Sequence, residues 1–218
     1  MNLAQVATKL ALYLANQADL PNERVDSLRF GLEIIIGTMI KGVLLFAVAW
    51  ALNIVAEVAV ALSAGSVFRL LAGGAHCSGY GRCLLLGIGV YLAIGKVSAI
   101  YGFSLSSCWL FYLIIICYLF CCFVAFRWAP GKVPGVELTP PKQRLFKVLS
   151  LFYLHFLLMG MFYLVVNGYK SLAFAIFLAL LAQGLSLTPI GYRLIKRYDM
   201  WIIINRQGKE VYGGASEV

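Results

Sequence analysis

Charged side chains are scarce in this chain: 12% of its 218 residues are Asp, Glu, Lys or Arg, and of these only 9 are acidic. Set against 62% hydrophobic residues and a mean hydropathy of +0.88, that scarcity excludes an ordinary soluble domain, whose apolar share is about 45–50%. Histidine is rarer still, with 2 residues. No H-E-x-x-H sequence occurs, and one histidine near cysteines without further ligands is a poor metal set, so no metal and no cofactor are expected. A serine hydrolase is equally unsupported, because Ser63, Ser66 and Ser78 lack a G-x-S-x-G context. The glycine-rich stretch after Arg69 lacks the G-K-[ST] ending and the preceding strand of a phosphate loop. No apolar run alternates with period two, which leaves helices, not a barrel, to satisfy the backbone in lipid. The first residues lack the basic start, short apolar run and cleavage site of a signal peptide, so none is expected to be removed.

What is present is a series of long apolar runs. At ~20 residues per crossing there is room for about six membrane helices. They are expected at about Phe30 to Ala51, Ile54 to Leu71, Leu84 to Ile100, Ser107 to Phe126, Phe146 to Val166 and Leu172 to Ile195. The first 28 residues carry Leu3, Val6, Ala7, Leu10 and Leu14 at helical spacing ahead of Leu20-Pro21-Asn22, which suits an amphipathic helix at the membrane surface. The expected fold is therefore an all-α integral membrane protein with one helical domain over residues 1–200, and residues 201–218 form a tail. The stretch WAPGKVPGVELTPPKQR is expected to be a loop.

Orientation follows from the basic residues. The connections on one side, including both termini, the segment after Arg69 and the proline-rich loop, hold 15 of the 18 Lys and Arg; the opposite side holds Lys96 and Lys170. The positive-inside rule makes the first side cytoplasmic. The net charge of +9 is then an orientation signal and an attraction to anionic lipid headgroups. No basic face with interleaved aromatics is present, so nucleic acid is not expected as a partner.

Six cysteines do not form a disulfide framework here. Cys108, Cys117, Cys121 and Cys122 fall in or beside the fourth apolar run, where cysteine behaves as a small apolar residue, and Cys77 and Cys83 face a reducing compartment. The chemistry is expected in RLLAGGAHCSGYGRC, residues 69–83. It combines His76, Cys83, several glycines and two arginines, Arg69 and Arg82, that favour negative charge. On a continuous helix, residues seven apart are separated by roughly 10 Å along the axis, too far for proton transfer. The helix must break between His76 and Cys83, and Gly79 and Gly81 are placed to break it. Cys83 is preferred to Cys77 as nucleophile because side chains of adjacent residues diverge. Gly73 and Gly74 read either as part of this site or as helix-packing glycines. His155 reads as a helix-packing or hydrogen-bonding residue facing the bundle interior. Glu33, Lys41 and Glu57 are costly in lipid and are expected to face inward. Glu33 could orient His76 or bind substrate, or be an interfacial or lysine-paired carboxylate.

The series Arg69, Gly73-Gly74-Ala75-His76 and Cys83 resembles the signature of the accessory gene regulator B family, membrane cysteine endopeptidases of Gram-positive bacteria. Gly31-Leu32-Glu33, Ala129-Pro130 and Thr188-Pro189 agree in order along the chain, so the resemblance spans about residues 1–200. It implies His76 and Cys83 as catalytic residues and a small amphipathic quorum-sensing propeptide as substrate. It further implies a thioester to the enzyme, captured by a side chain of the peptide to give a cyclic thiolactone or lactone. A thioester keeps much of the energy of the broken bond and passes readily to another thiol, provided that water is kept away. Cys77 and the tail after Arg197 have no counterpart in that pattern, and a homodimer is left open. The contrasting reading is a small-solute transporter or membrane assembly protein with a polar path lined by Arg69, His76 and Glu33. A transporter would spread polar residues across several broken helices, whereas here they concentrate in one segment.

Overall fold

The computed structural model describes residues 3–18, 21, 24–75, 77, 80–131 and 139–213. Eight helices follow one another: α1 (Leu3–Gln17), α2 (Val25–Ala51), α3 (Val55–Ala72), α4 (Tyr80–Tyr101), α5 (Ser107–Trp128), α6 (Pro140–Val166), α7 (Lys170–Leu187) and α8 (Pro189–Gly213). Among the described residues there is no strand. Six of the helices, α2 to α7, are long and apolar enough to cross a membrane. The all-α membrane architecture read from the apolar runs is therefore present.

The chain forms two compact units, Met1–Ala51 and Leu52–Val218. In the first, α1 packs on α2. Ala7, Ala11 and Ala15, four apart, are its buried stripe, while Gln5, Lys9, Asn16 and Gln17 are exposed.

The second unit is built around α7, which packs against α3, α4, α5, α6 and α8. Of its span 61% is buried, against 33% at most in the other five. Its sequence explains this. KSLAFAIFLALLAQGLSL has no polar face to give to water, and its small residues let neighbours approach on every side. A Cβ at Gly184 would lie 3.0 Å from the Phe120 ring and 3.1 Å from the Cys121 sulfur. Phe68, Leu110, Ile114, Leu154, Met161 and Leu180 fill the surrounding core. Cys117 and Cys121 are buried there, their thiols directed to the carbonyls of Phe177 and Leu180, as their apolar setting implies; Cys108, by contrast, is exposed. The outer faces carry Trp109, Phe126, Phe152 and Phe156 in the open, a surface that water would not tolerate and lipid covers.

The two ends of this bundle are fixed differently. At one end, Lys170 Nζ donates to the Leu105 carbonyl at 3.2 Å, tying the α4–α5 turn to the start of α7. At the other, the α3–α4 segment, the chain after α5 and the α7–α8 junction converge: Gly131 N donates to Ala72 O at 2.8 Å and Ala75 N to Ser186 O at 3.2 Å.

Three boundaries depart from the sequence expectation. The last apolar run does not continue to Ile195. It stops at Leu187, where the Thr188 hydroxyl donates to Leu185 O at 2.7 Å and accepts from Gly191 N at 3.2 Å. One side chain thus ends α7 and caps α8, and Pro189 takes the first helical position, where its missing N–H costs nothing. The residues from 201 onward are helical as far as Gly213. The proline-rich loop is shorter than expected, because Pro140 and Pro141 open α6 by the same rule. Glu57 is half-buried in the first turn of α3, where the helix dipole favours a carboxylate.

Candidate functional site

Arg69 stands on the last turn of α3, and the helix ends four residues later because Gly73 takes φ 80 and Gly74 φ 148. These angles suit only glycine. Space demands it as well: a Cβ on Gly73 would lie 2.8 Å from Gly131 N, and one on Gly74 would lie 2.8 Å from Ser186 Oγ and 2.9 Å from Gln183 Nε2. Gly73 and Gly74 therefore end α3 ahead of His76. Gly81 lies inside α4, and Gly79 lies outside the described residues. The packing-glycine reading of Gly73 and Gly74 gives way to a turn that passes through a narrow slot.

The slot is lined by hydrogen-bonding groups from α3 and α7. Gln183 Nε2 donates to Gly73 O at 2.8 Å, and Arg69 Nη1 donates to Gln183 Oε1 at 3.3 Å. Arg69 Nη2 donates to Ala75 O at 2.5 Å, a charge-assisted bond. With Ala75 N bonded to Ser186 O, both backbone groups of the residue before His76 are held, and Ala75 is itself buried. His76 lies outside the described residues.

Arg69 thus grips the chain beside residue 76. Arg82 is paired with an acid. Its Nε lies 2.5 Å from Asp199 Oδ1, so a carboxylate counters its charge. Asp199, on α8, is buried at 8% exposure.

Cys83 sits in the first turn of α4 and Cys77 in the segment before it, both half-buried. Their sulfurs are neighbours. Burial pushes the Cys77 thiol up, and so do the adjacent Cys83 sulfur and the Asp199 carboxylate; Arg82 pulls it down. Cys77 therefore keeps its proton at neutral pH and is able to donate its S–H. Among the described residues no three His, Cys, Asp or Glu cluster to hold a metal.

Arg69, Gly73, Gly74 and Cys83 belong to the second unit, whereas Glu33 lies on α2 in the first. His155 is exposed on α6, not turned inward. Its Nδ1 donates to Leu151 O at 2.9 Å and its Nε2 accepts from Tyr118 Oη at 2.7 Å, so it is satisfied on the lipid-facing surface by its own turn and one neighbour. Two residues of the site escape a sequence reading. Gln183 carries a signal, being the one amide in an apolar membrane helix. Asp199 carries less of one, as a single acid among Arg193, Lys196 and Arg197.

Residues 7–187 match the family model described as accessory gene regulator B. An AgrB-like protein of Clostridium perfringens (strain SM101 / Type A) is 27% identical over 195 residues, covering 85% of this chain and 91% of the relative. AgrB-like protein 2 of Clostridium perfringens (strain 13 / Type A) is 26% identical over 209 residues, covering 90% and 96%. No solved structure matches the chain. With the family match running through six membrane-spanning helices and the whole Arg69 to Cys83 segment, the chain belongs to the accessory gene regulator B family, membrane proteins of quorum-sensing peptide processing.

Proposed function

We propose that the chain is a cysteine endopeptidase that cleaves a small amphipathic propeptide through a thioester at Cys83, with His76 as general base and acid, and promotes cyclisation of the product. The observation that supports this reading is that α3 ends at Ala72 and α4, which bears Cys83, begins at Tyr80, so no single helix imposes the separation of roughly 10 Å between residues 76 and 83. Arg69 and Ser186 hold Ala75, the residue before His76, in the segment between the two helices.

In the proposed reaction His76 takes the Cys83 proton and the thiolate attacks the scissile carbonyl. The C–N bond breaks, His76 gives the proton to the departing amine, and the N-terminal fragment remains as a thioester on Cys83. A cysteine thiol of the bound fragment then attacks the thioester carbonyl. His76 takes the proton of that thiol, the C–S bond to the enzyme breaks, a thiolactone leaves, and the proton returns to the Cys83 sulfur; a serine acceptor would give a lactone by the same transfer. Cys77, held protonated, donates toward the Cys83 sulfur when that carries charge. Arg69, Gly73 and Gly74 fix the histidine segment. The site sits at the cytoplasmic boundary of the membrane of a Gram-positive bacterium, both termini on that side. An amphipathic peptide reaches it along the lipid surface, and the apolar helices limit water that would otherwise hydrolyse the thioester.

The test is a propeptide whose cyclising cysteine is replaced by alanine. Acylation proceeds and capture does not, so mass spectrometry is expected to find the N-terminal fragment on the enzyme peptide bearing Cys83, removable by hydroxylamine. Release of the C-terminal fragment with no such adduct would exclude the thioester route.

A further inference from the structure

The first turn of α4 carries Cys83 and is open on its Gly81 side. A Cβ added at Gly81 would meet nothing within 4 Å. The strong contact in this turn is the ion pair of Arg82 with Asp199, whose carboxylate stands on α8. That helix begins at Pro189, beyond residue 187 where the family match ends. Its direction of departure is set by the Thr188 hydroxyl, which caps both α7 and α8. The helix that follows the matched region thus returns a buried acid, at 8% exposure, to the residue next to Cys83.

We propose that Asp199 is a positioning residue for Cys83: it holds Arg82, and with it the first turn of α4, and it offsets the guanidinium charge beside the two sulfurs. The inference rests on the reading of Cys83 as nucleophile. Two effects are separable. Anchoring the turn keeps the sulfur aimed at the scissile carbonyl, and small misplacements of a reacting group are costly. Charge balance limits the pull of Arg82 on negative charge at the sulfur in the free enzyme. Asp199 also acts on Cys77, whose thiol it helps to keep protonated.

The experiment uses the full chain in lipid nanodiscs and compares Asp199→Asn, Asp199→Glu and the exchanged pair Arg82→Asp with Asp199→Arg. Propeptide cleavage is resolved into kcat and KM. In parallel, in a Cys77→Ser background and without peptide, the rate of Cys83 alkylation by iodoacetamide is measured at neutral pH. Asp199→Asn is expected to lower kcat by roughly ten- to a hundred-fold with KM little changed, while Cys83 alkylation becomes several-fold faster because Arg82 is left without its counter-charge. Asp199→Glu is expected to keep most of kcat, and the exchanged pair to recover part of it. Opposite movement of the two rates is the signature, since a general loss of structure would not speed alkylation while slowing cleavage. Unchanged kcat and alkylation in Asp199→Asn would overturn the proposal, as would a fall in kcat matched by thermal destabilisation with alkylation unaltered. If Cys83→Ala still cleaved the peptide, the peptidase reading would fail, while the peptide-free alkylation measurement would still decide whether Asp199 governs the Cys83 sulfur.

Discussion

The side-chain amide of Gln183 donates to the carbonyl of Gly73 at 2.8 Å, across 110 residues of chain, while its oxygen accepts from Arg69 at 3.3 Å. One amide therefore serves both the backbone where α3 ends and the arginine that grips Ala75. Gln183→Leu would leave a carbonyl and a guanidinium without this partner, a cost of ~1–3 kcal/mol. Cleavage is expected to fall at least ten-fold at equal protein level. Gln183→Glu keeps a partner for Arg69 and loses the donor to Gly73, so it should fall between Leu and wild type. Equal activity in all three, measured with a fluorogenic propeptide, would show that the clamp is dispensable.

The glycines divide by geometry. Gly74→Ala places a methyl in a left-handed conformation against Ser186 and Gln183 and is expected to abolish cleavage and lower the melting temperature. Gly81→Ala fills open space within a helix and should retain cleavage, with stability raised by up to about 1 kcal/mol. Thermal melts and cleavage rates of the pair check both signs; the reverse ranking would contradict the turn geometry.

Cys77 holds its proton more tightly than an ordinary thiol. Because burial leads the causes that raise the Cys77 thiol, Cys77 stays protonated through neutral pH and loses its proton only above the ordinary thiol range of about 8.5. In a Cys83→Ala protein, which lacks cleavage, Cys77 alkylation should be slower than that of the unfolded chain at pH 7 and should climb only at higher pH. A profile like that of a free thiol would remove the case for Cys77 as a donor, and full cleavage by Cys83→Ala would remove Cys83 as nucleophile.

The histidines are expected to behave oppositely. His76→Ala should slow cleavage by roughly 10² to 10⁴, the usual worth of general acid–base help. His155→Phe, on the lipid-facing side of α6, should change it by about twofold at most, as surface substitutions do. A His155→Phe enzyme as inactive as His76→Ala would place chemistry where the structure has hydrogen bonds to Tyr118 and to Leu151 O.

Orientation is open to labelling. A membrane-impermeant thiol reagent added outside intact cells should miss Cys83 and reach cysteines introduced at Lys96 or Lys170. Labelling of Cys83 from outside would reverse the assignment of sides.

The six spans are legible because each is a long apolar run, and α1 because Leu3, Val6, Ala7, Leu10 and Leu14 recur at helical spacing, although the buried stripe is Ala7, Ala11 and Ala15 and leaves Leu10 and Leu14 exposed. The end of α7 is harder to read, since Ile190, Tyr192 and Leu194 continue the apolar character past Thr188-Pro189. Only the Thr188 hydroxyl bonds reveal that a new helix starts there. A break between His76 and Cys83 is legible as a necessity, from their separation on a continuous helix, and α4 begins at Tyr80, between them. That Gly73 and Gly74 end α3 ahead of His76 is not legible, because composition does not say where φ turns positive. Arg69 and Arg82 look alike in sequence as nearby positive charges. Their partners, Ala75 and Gln183 for one and Asp199 for the other, come from distant helices that no local pattern links.

The shared cap at Thr188 sets a limit on how this C-terminal arm can vary. From Thr188 to Asp199 the chain runs about three helical turns from a fixed starting direction, so the arm works like a key of set length and phase. One inserted residue would swing the Asp199 carboxylate by about 100° around the α8 axis and away from Arg82. Insertions and deletions are therefore tolerated beyond Asp199 and selected against before it, which makes the spacing between these two residues, more than their surroundings, the quantity that natural variants of this chain should preserve.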